Sequence, residues 1–151
     1  MLALSIRQPY AELILRGFKT VEYRTRATRI IGQRFHIYAS RGRAVWGTAH
    51  SSGRETARRI WSDDLAVPSR THPRGEIPPW LIELAEALIL DKLPRGVIVG
   101  SAVIEKCVRS SRMTNGPAPM TLFEWHLAGV ERATRLEKPS GHPQPVWFKP
   151  F

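Results

Sequence analysis

Three charged side chains near the amino terminus stand close enough in sequence to do chemistry together. Lys19, Glu22 and Arg24 fall within six residues. A lysine beside a carboxylate can act as a general acid and base when burial tunes the two pKa values. A lysine and an arginine can instead hold a phosphate, for which arginine offers two parallel hydrogen bonds. The same spacing also fits ordinary surface charges on an edge strand, where ion pairs contribute little.

The elements that must position these charges are a short helix and a strand. Residues 9–16 carry apolar side chains at i, i+3 and i+4 spacing, which predicts a helix, and Gly17 is suited to end it. Residues 20–23 have the β-branched and aromatic content of a strand. Within a regular strand the second and third charges share one face and the first takes the other. Because the first charge lies at the turn, the sequence leaves open whether all three converge.

The spacing Gly-x-Lys-x-x-Glu-x-Arg, at Gly17, Lys19, Glu22 and Arg24, resembles the signature of the ASCH family. Other segments that resemble the family are its opening strand and helix at 4–11, a strand at 35–40, a central strand at 94–102, and 125–127 with Trp147. The resemblance implies an α+β fold, namely a small PUA-like β-barrel of mixed strands with helices packed on its side. It also implies a cleft beside the motif that is suited to RNA or a nucleotide.

Members of that family are variously nucleic-acid binders, proposed RNA-processing factors and, in one branch, amidohydrolases acting on acetylated cytidine. That branch has a threonine where this chain has Glu22. The resemblance therefore implies an RNA-binding domain. The alternative that it leaves open is a hydrolase of RNA or a modified nucleoside, similar to a ribonuclease or an N4-acetylcytidine amidohydrolase, with Lys19 and Glu22 as catalytic residues.

The charge distribution points to a polyanionic partner. The 151-residue chain has a net charge of +10, with 14 Lys and Arg against 5 Asp and Glu in residues 1–75 but 9 against 8 in residues 76–151. A GC-rich genome raises the number of arginines without crowding them into one half of the chain. We therefore expect RNA or another single-stranded nucleic acid as partner, with DNA as a further option.

Basic residues on both sides of the motif are candidates for phosphate contacts. Arg26 and Arg29 follow it directly, and we expect residues 40–43 to form a short basic loop whose N–H groups could also hold phosphate. A solvated basic face is the ordinary alternative. The predicted nucleic-acid-binding set is Lys19, Glu22, Arg24, Arg26, Arg29, Ser40, Arg41 and Arg43.

Glu22 has two open roles in such a site. It can tether the neighbouring cations, or it can accept a hydrogen bond from an exocyclic amine, as carboxylates do with cytosine N4. Unpaired RNA suits the second role because its bases can be splayed out. A third class of function, a protein-interaction module whose basic face meets an acidic partner, also fits the sequence.

The chain length fits one domain, which we expect to span residues 1–151. A helical insertion is predicted around 51–92. It comprises helices at 51–65 and 79–90, joined by a proline-rich segment at 68–79 that acts as a connector or a lid. Strands are predicted at 96–108 and 123–138, with an irregular polar segment between them.

Several classes of protein are disfavoured by composition. Cys107 is the single cysteine, so no internal disulfide forms, and a reducing, cytoplasmic location is expected. The cysteine and five dispersed histidines show no metal-ligand spacing, and there is no glycine-rich phosphate loop, so we expect neither a metal nor a cofactor. The longest apolar helix candidate is too short to cross a bilayer, and we see no signal peptide. The oligomeric state is not determined by these features.

Overall fold

The computed structural model describes residues 1–43, 51–63 and 76–151, with Arg43 described by its backbone alone. Its elements in chain order are β1 (Ala3–Gln8), α1 (Tyr10–Leu15), β2 (Val21–Arg24), β3 (Arg34–Arg43), α2 (Gly53–Ser62), α3 (Pro79–Ile89), β4 (Val97–Met113), β5 (Thr121–Glu137) and β6 (Trp147–Phe148). The strands form a mixed sheet with the helices packed on it, which confirms the predicted α+β class.

The strand order is β2-β5-β4-β3-β1-β6. Strands β1 and β3 are parallel, and the other neighbouring pairs are antiparallel. The predicted β-barrel fold is confirmed in its mixed strands and packed helices, but the sheet does not close, because no ladder joins β2 to β6 in the described part of the chain. The two edge strands have only four and two residues, which leaves little backbone for a closing ladder. A side chain bridges the gap instead, since Arg24 of β2 donates to the Ser5 carbonyl of β1 at 2.7 Å.

The main core lies between the sheet and α1. Ile14, Phe35, Ile104 and Trp125 are almost completely buried there. A second apolar cluster joins α2 and α3 to the other side of α1 through Leu13. The turn after α1 adds to this contact, because Phe18 stacks on Trp80 with the ring centroids 3.9 Å apart. Both clusters therefore hold α1, and with it the turn that follows, in a fixed position.

The long β4–β5 hairpin differs from the prediction. Strands were expected at 96–108 and 123–138, and both exist, but the segment between them is not irregular throughout. Arg109 pairs with Phe123 and Met113 pairs with Thr121, so β4 runs five residues further than predicted. The apolar alternation used to predict strands is missing from this segment, because its side chains are mostly polar. Backbone pairing across a hairpin does not require that alternation. Gly129 of β5 lies at a bulge, with φ of 55° beside a shift in register.

Two further expectations are corrected or fall outside the described residues. Residues 40–43 are not a loop, because β3 continues to Arg43, which pairs with Gln8 of the parallel strand β1. The helix predicted at 51–65 is described from Gly53 to Ser62, and the helix after Pro78 matches its prediction. Most of the proline-rich segment at 68–79 lies outside the described residues. Among the described helices, none has the length and apolar character needed to span a bilayer.

Candidate nucleic-acid interface

A tight turn between α1 and β2 sets the position of Lys19. Gly17 adopts a left-handed conformation with φ of 80°, as expected for the residue that ends a helix. The backbone N–H groups of Phe18 and Lys19 both donate to the Leu13 carbonyl. Since β2 begins only at Val21, Lys19 belongs to the turn. The alternation of side chains between the two faces of the strand therefore does not apply to it. Its ammonium folds back and donates to the Val21 carbonyl at 2.7 Å.

The three charges converge, which the sequence alone left open. Lys19 Nζ lies 3.4 Å from Glu22 Oε2, and Arg24 Nε donates to Glu22 Oε1 at 2.9 Å. The side chains of Lys19, Glu22 and Arg24 are 3%, 10% and 20% exposed. Glu22 is therefore a buried carboxylate held between two cations of the same turn and strand.

The surroundings of Lys19 enclose its ammonium almost completely. The rings of Tyr10 and Tyr23 each lie with their centroids 5.4 Å from Nζ, a distance at which a cation is attracted to an aromatic face. Burial lowers the pKa of Lys19, and Glu22 opposes that shift by favouring the charged form. Burial also raises the pKa of Tyr10, to which the negative charges of Asp63 and Glu22 contribute.

Arg24 has main-chain partners as well as Glu22. Its Nη2 donates to the Ser5 carbonyl at 2.7 Å, and its Nη1 lies 3.5 Å from the Pro145 carbonyl. The guanidinium also lies over the Trp125 ring, 5.9 Å from the centroid. Arg24 thus ties β2 to β1 and to the segment before β6, so much of its hydrogen-bonding capacity serves the fold.

An open cleft of about 680 Å³ lies beside these charges. Its walls are residues 5–7 of β1, residues 22–24 of β2, and Tyr38 with residues 40–42 of β3. The far wall is the segment 142–145, which we call the C-terminal strap. The strap is held against β1, because Ser5 N donates to the Val146 carbonyl and Ser5 Oγ donates to the Gln144 carbonyl.

The cleft brings together some of the predicted site residues and leaves others out. Glu22, Arg24, Ser40 and Arg41 line it, whereas Lys19 lies behind the wall that Tyr10, Glu22 and Tyr23 form. Arg26 and Arg29 are exposed and do not line the cleft. The side chain of Arg43 falls outside the described residues.

The sequence reasoning missed Arg7 and the C-terminal strap. Arg7 is the exposed position of an otherwise buried strand. A charged residue within an apolar segment could therefore have indicated from the sequence that Arg7 faces solvent. The strap carries no comparable local signal, because β1 and the strap meet only through the fold. Neither Arg7 nor Arg41 has a side-chain ion pair or hydrogen bond with any described residue. Arg7 Nε lies 3.8 Å from the position that a Cβ atom on Gly42 would occupy. Arg7 therefore lies beside Arg41 at one rim of the cleft.

A family model for the ASCH domain matches residues 4–139. The chain belongs to the ASCH domain family. The family predicted from the spacing of Gly17, Lys19, Glu22 and Arg24 is therefore confirmed, and ASCH domains are generally thought to bind RNA. No curated protein matches the chain. The matched region ends before the C-terminal strap, so one wall of the cleft in this ASCH domain comes from outside it.

The chemistry that the ASCH cleft can offer is hydrogen bonding and charge. Arg7 and Arg41 present donors with fixed positive charge, and Glu22 presents an acceptor with negative charge. Tyr10 and Tyr23 present aromatic rings at the same wall. In the described ranges 1–43, 51–63 and 76–151, no three side chains of His, Cys, Asp or Glu are grouped as a metal site requires.

Proposed function

We propose that this ASCH domain binds single-stranded RNA, with phosphates held by Arg7 and Arg41 and one unpaired base in the cleft. The observation that carries the proposal is the open cleft of about 680 Å³ with two exposed arginines that lack a partner among the described residues at its rim. Arginine binds phosphate with two parallel hydrogen bonds, and an unpaired base can leave its stack and enter a pocket.

Glu22 is the residue that reads the base in this proposal. Its two oxygens offer about four lone-pair sites, and Arg24 and Lys19 approach one site on each oxygen. The remaining capacity suits the exocyclic amine of cytosine or adenine. The rings of Tyr10 and Tyr23 offer surfaces on which a base can stack. Lys19 acts behind the wall as a positioning residue, because its ammonium holds the Glu22 carboxylate from the side away from the cleft.

The direct test is the salt dependence of RNA binding by the double variant Arg7→Ala/Arg41→Ala. Each phosphate contact to a single strand contributes about 0.7 to the slope of log K against log salt, so the slope should fall by about 1.4. The variant Arg54→Ala/Arg58→Ala is the matched control, because it removes two exposed charges of α2 that do not line the cleft. A flat slope for the wild type, or an equal loss in the control, contradicts the proposal.

A hydrolase acting on RNA or N4-acetylcytidine is the second candidate, favoured by the burial that lowers the pKa of Lys19. A neutral lysine amine can serve as a general base. A substrate in the cleft reaches that amine only if Tyr10 and Tyr23 separate. The assay is release of cytidine from N4-acetylcytidine and cleavage of single-stranded RNA, each compared with Lys19→Met. Activity that survives the substitution excludes Lys19 as the base, and absence of both activities removes the candidate.

A further inference from the structure

The β4–β5 hairpin continues beyond the edge of the sheet as a two-stranded ribbon. Strand β2 pairs with β5 only over residues 123–126, whereas β4 and β5 remain paired as far as Met113 and Thr121. We call residues 106–123 the basic ribbon, which runs from the part of the hairpin beside β2 to the hairpin's end, because they contain Lys106, Arg109 and Arg112 and no acidic residue. The three cations are exposed. The nearest carboxylate along β5, Glu124, faces His126 with 3.1 Å between Oε1 and Nε2.

The pairing of the strands places Arg109 in line with Arg24. Arg24 pairs with Phe123 on β5, and Phe123 pairs in turn with Arg109 on β4. Directly paired residues in a sheet project from the same face. Arg109 therefore lies on the same face as Arg24, two strand spacings or about 10 Å away.

Arg112 connects the ribbon to the cleft wall. Its guanidinium carbon lies 5.8 Å from the centroid of the Tyr23 ring, and Tyr23 lines the cleft. Arg112 thus stands beside the β2 wall of the cleft, and Arg109 lies on the face of the sheet that Arg24 shares. Arg7 and Arg41 line the cleft at the side of β1 and β3. A polyanion that crosses the cleft from the one side meets the ribbon on the other.

The end of the ribbon is ordered and carries exposed apolar side chains. Thr114 N donates to the Met120 carbonyl, and Met120 N donates to Thr114 Oγ1, both at 2.8 Å. Met113 and Met120 are 52% and 55% exposed. A thioether is polarizable and packs favourably against aromatic rings, which include nucleobases. Cations interleaved with such side chains are typical of a surface that follows a nucleic-acid strand.

We propose that the basic ribbon binds the sugar-phosphate backbone next to the base in the cleft, so that the domain recognises an extended single strand of several nucleotides. This inference rests on the proposed function. The strand runs from Arg7 and Arg41, through the cleft, to Arg112 and Arg109. A single nucleotide fills the cleft without following the ribbon.

The test compares long and short RNA with the variant Arg109→Ala/Arg112→Ala. Fluorescently labelled C and U ligands of one nucleotide and of about ten nucleotides are titrated at fixed salt. Losing two phosphate contacts should weaken binding of the longer oligonucleotides about tenfold and leave the shorter ones within about twofold. Arg135→Ala/Lys138→Ala is the matched control, since it removes two exposed charges, one near the opposite end of β5 and one directly after it, and its binding should equal that of the wild type.

The single variant Arg109→Ala guards against a folding defect, because it leaves the contact of Arg112 with Tyr23 in place. It should weaken binding of the longer oligonucleotides by about threefold, leave the shorter ligands unaffected, and melt at the temperature of the wild type. If the wild type binds long RNA and the ribbon variants bind it with the same affinity as the control variant, the inference about the ribbon is wrong. The proposed function is unaffected by that result. An equal loss for short and long RNA also overturns it, because the ribbon then acts on the cleft alone. If the wild type binds no oligonucleotide of either length, the proposed function itself fails.

Discussion

Replacing Glu22 by glutamine removes the carboxylate that contacts both Lys19 and Arg24. The substitution keeps the size of the side chain and one acceptor oxygen, so its effect reports the negative charge. We expect a large loss in the free energy of unfolding, because the buried Lys19 ammonium then loses its strongest favourable electrostatic partner, and Asp63 favours its charged form less strongly. Breaking a buried ion pair from one side costs about 3–5 kcal/mol.

The protonation of Lys19 sets a ceiling on that loss. When the free energy of burying the ammonium exceeds the free energy of deprotonating it, Lys19 releases its proton and stays buried as the neutral amine. Deprotonating a lysine costs about 1.4 kcal/mol for each pH unit below its unfolded pKa of about 10.4. The buried charge can therefore destabilise the folded state by at most about 4.6 kcal/mol at pH 7 and about 1.9 kcal/mol at pH 9. Arg24 adds at most about 1 kcal/mol, because it is partly exposed and keeps its partners Ser5 and Pro145. We therefore expect a loss of about 3 kcal/mol at pH 7 that shrinks clearly by pH 9.

Urea denaturation of the wild type and the variant at both pH values measures this loss. Glu55→Gln is the matched control, because Glu55 pairs with Arg59 on α2 in an ion pair whose two side chains are about half exposed. It should change the free energy of unfolding by about 0.5 kcal/mol or less at either pH.

A double-mutant cycle with Lys19→Met isolates the pair of Lys19 and Glu22. Lys19→Met/Glu22→Gln should be more stable than Glu22→Gln alone, because neither buried charge of the pair remains. The reasoning is refuted if Glu22→Gln costs no more than Glu55→Gln at pH 7. It is also refuted if the effects of Lys19→Met and Glu22→Gln are additive.

Two further predictions concern stability. Because the folded pKa of Lys19 is lowered, the folded state binds fewer protons than the unfolded state, so stability should rise with pH up to about pH 10. Lys19→Met should abolish this rise in thermal melts, and above about pH 10 the raised pKa of Tyr10 should reverse it. Gly100→Ala should cost about 3 kcal/mol in urea denaturation, because its Cβ would collide with the Glu131 carbonyl. Gly42→Ala, with no atom closer than 3.8 Å, should stay within about 0.5 kcal/mol, and equal losses would contradict the packing argument.

Local sequence was enough to determine the corner that holds the motif. The apolar spacing of 9–16 and Gly17 located the end of α1, and the β-branched content of 20–23 located β2. These signals are local because a helix end and a short strand depend on neighbouring side chains and on the backbone freedom of one glycine. The spacing of the motif also identified the family, which covers residues 4–139.

Long-range contacts decided what each side chain of the site has to offer. The sequence placed Arg24 in the binding set and left Arg7 out of it, but in the structure Arg24 binds the carbonyls of Ser5 and Pro145, and Arg7 lies at the rim of the cleft. The sequence also predicted a barrel and an irregular segment after residue 108, where the structure has an open sheet and a paired ribbon.

The reason lies in what a sequence pattern reports. Periodicity shows which face of an element is buried, because it follows the side chains of that element alone. It does not show which distant backbone groups a strand or a guanidinium will meet, because those partners are brought close only when the whole sheet forms. The sequence therefore determined the motif and its corner, and the tertiary structure determined the cleft, the exposed arginines at its rim and the place of the ribbon beside it.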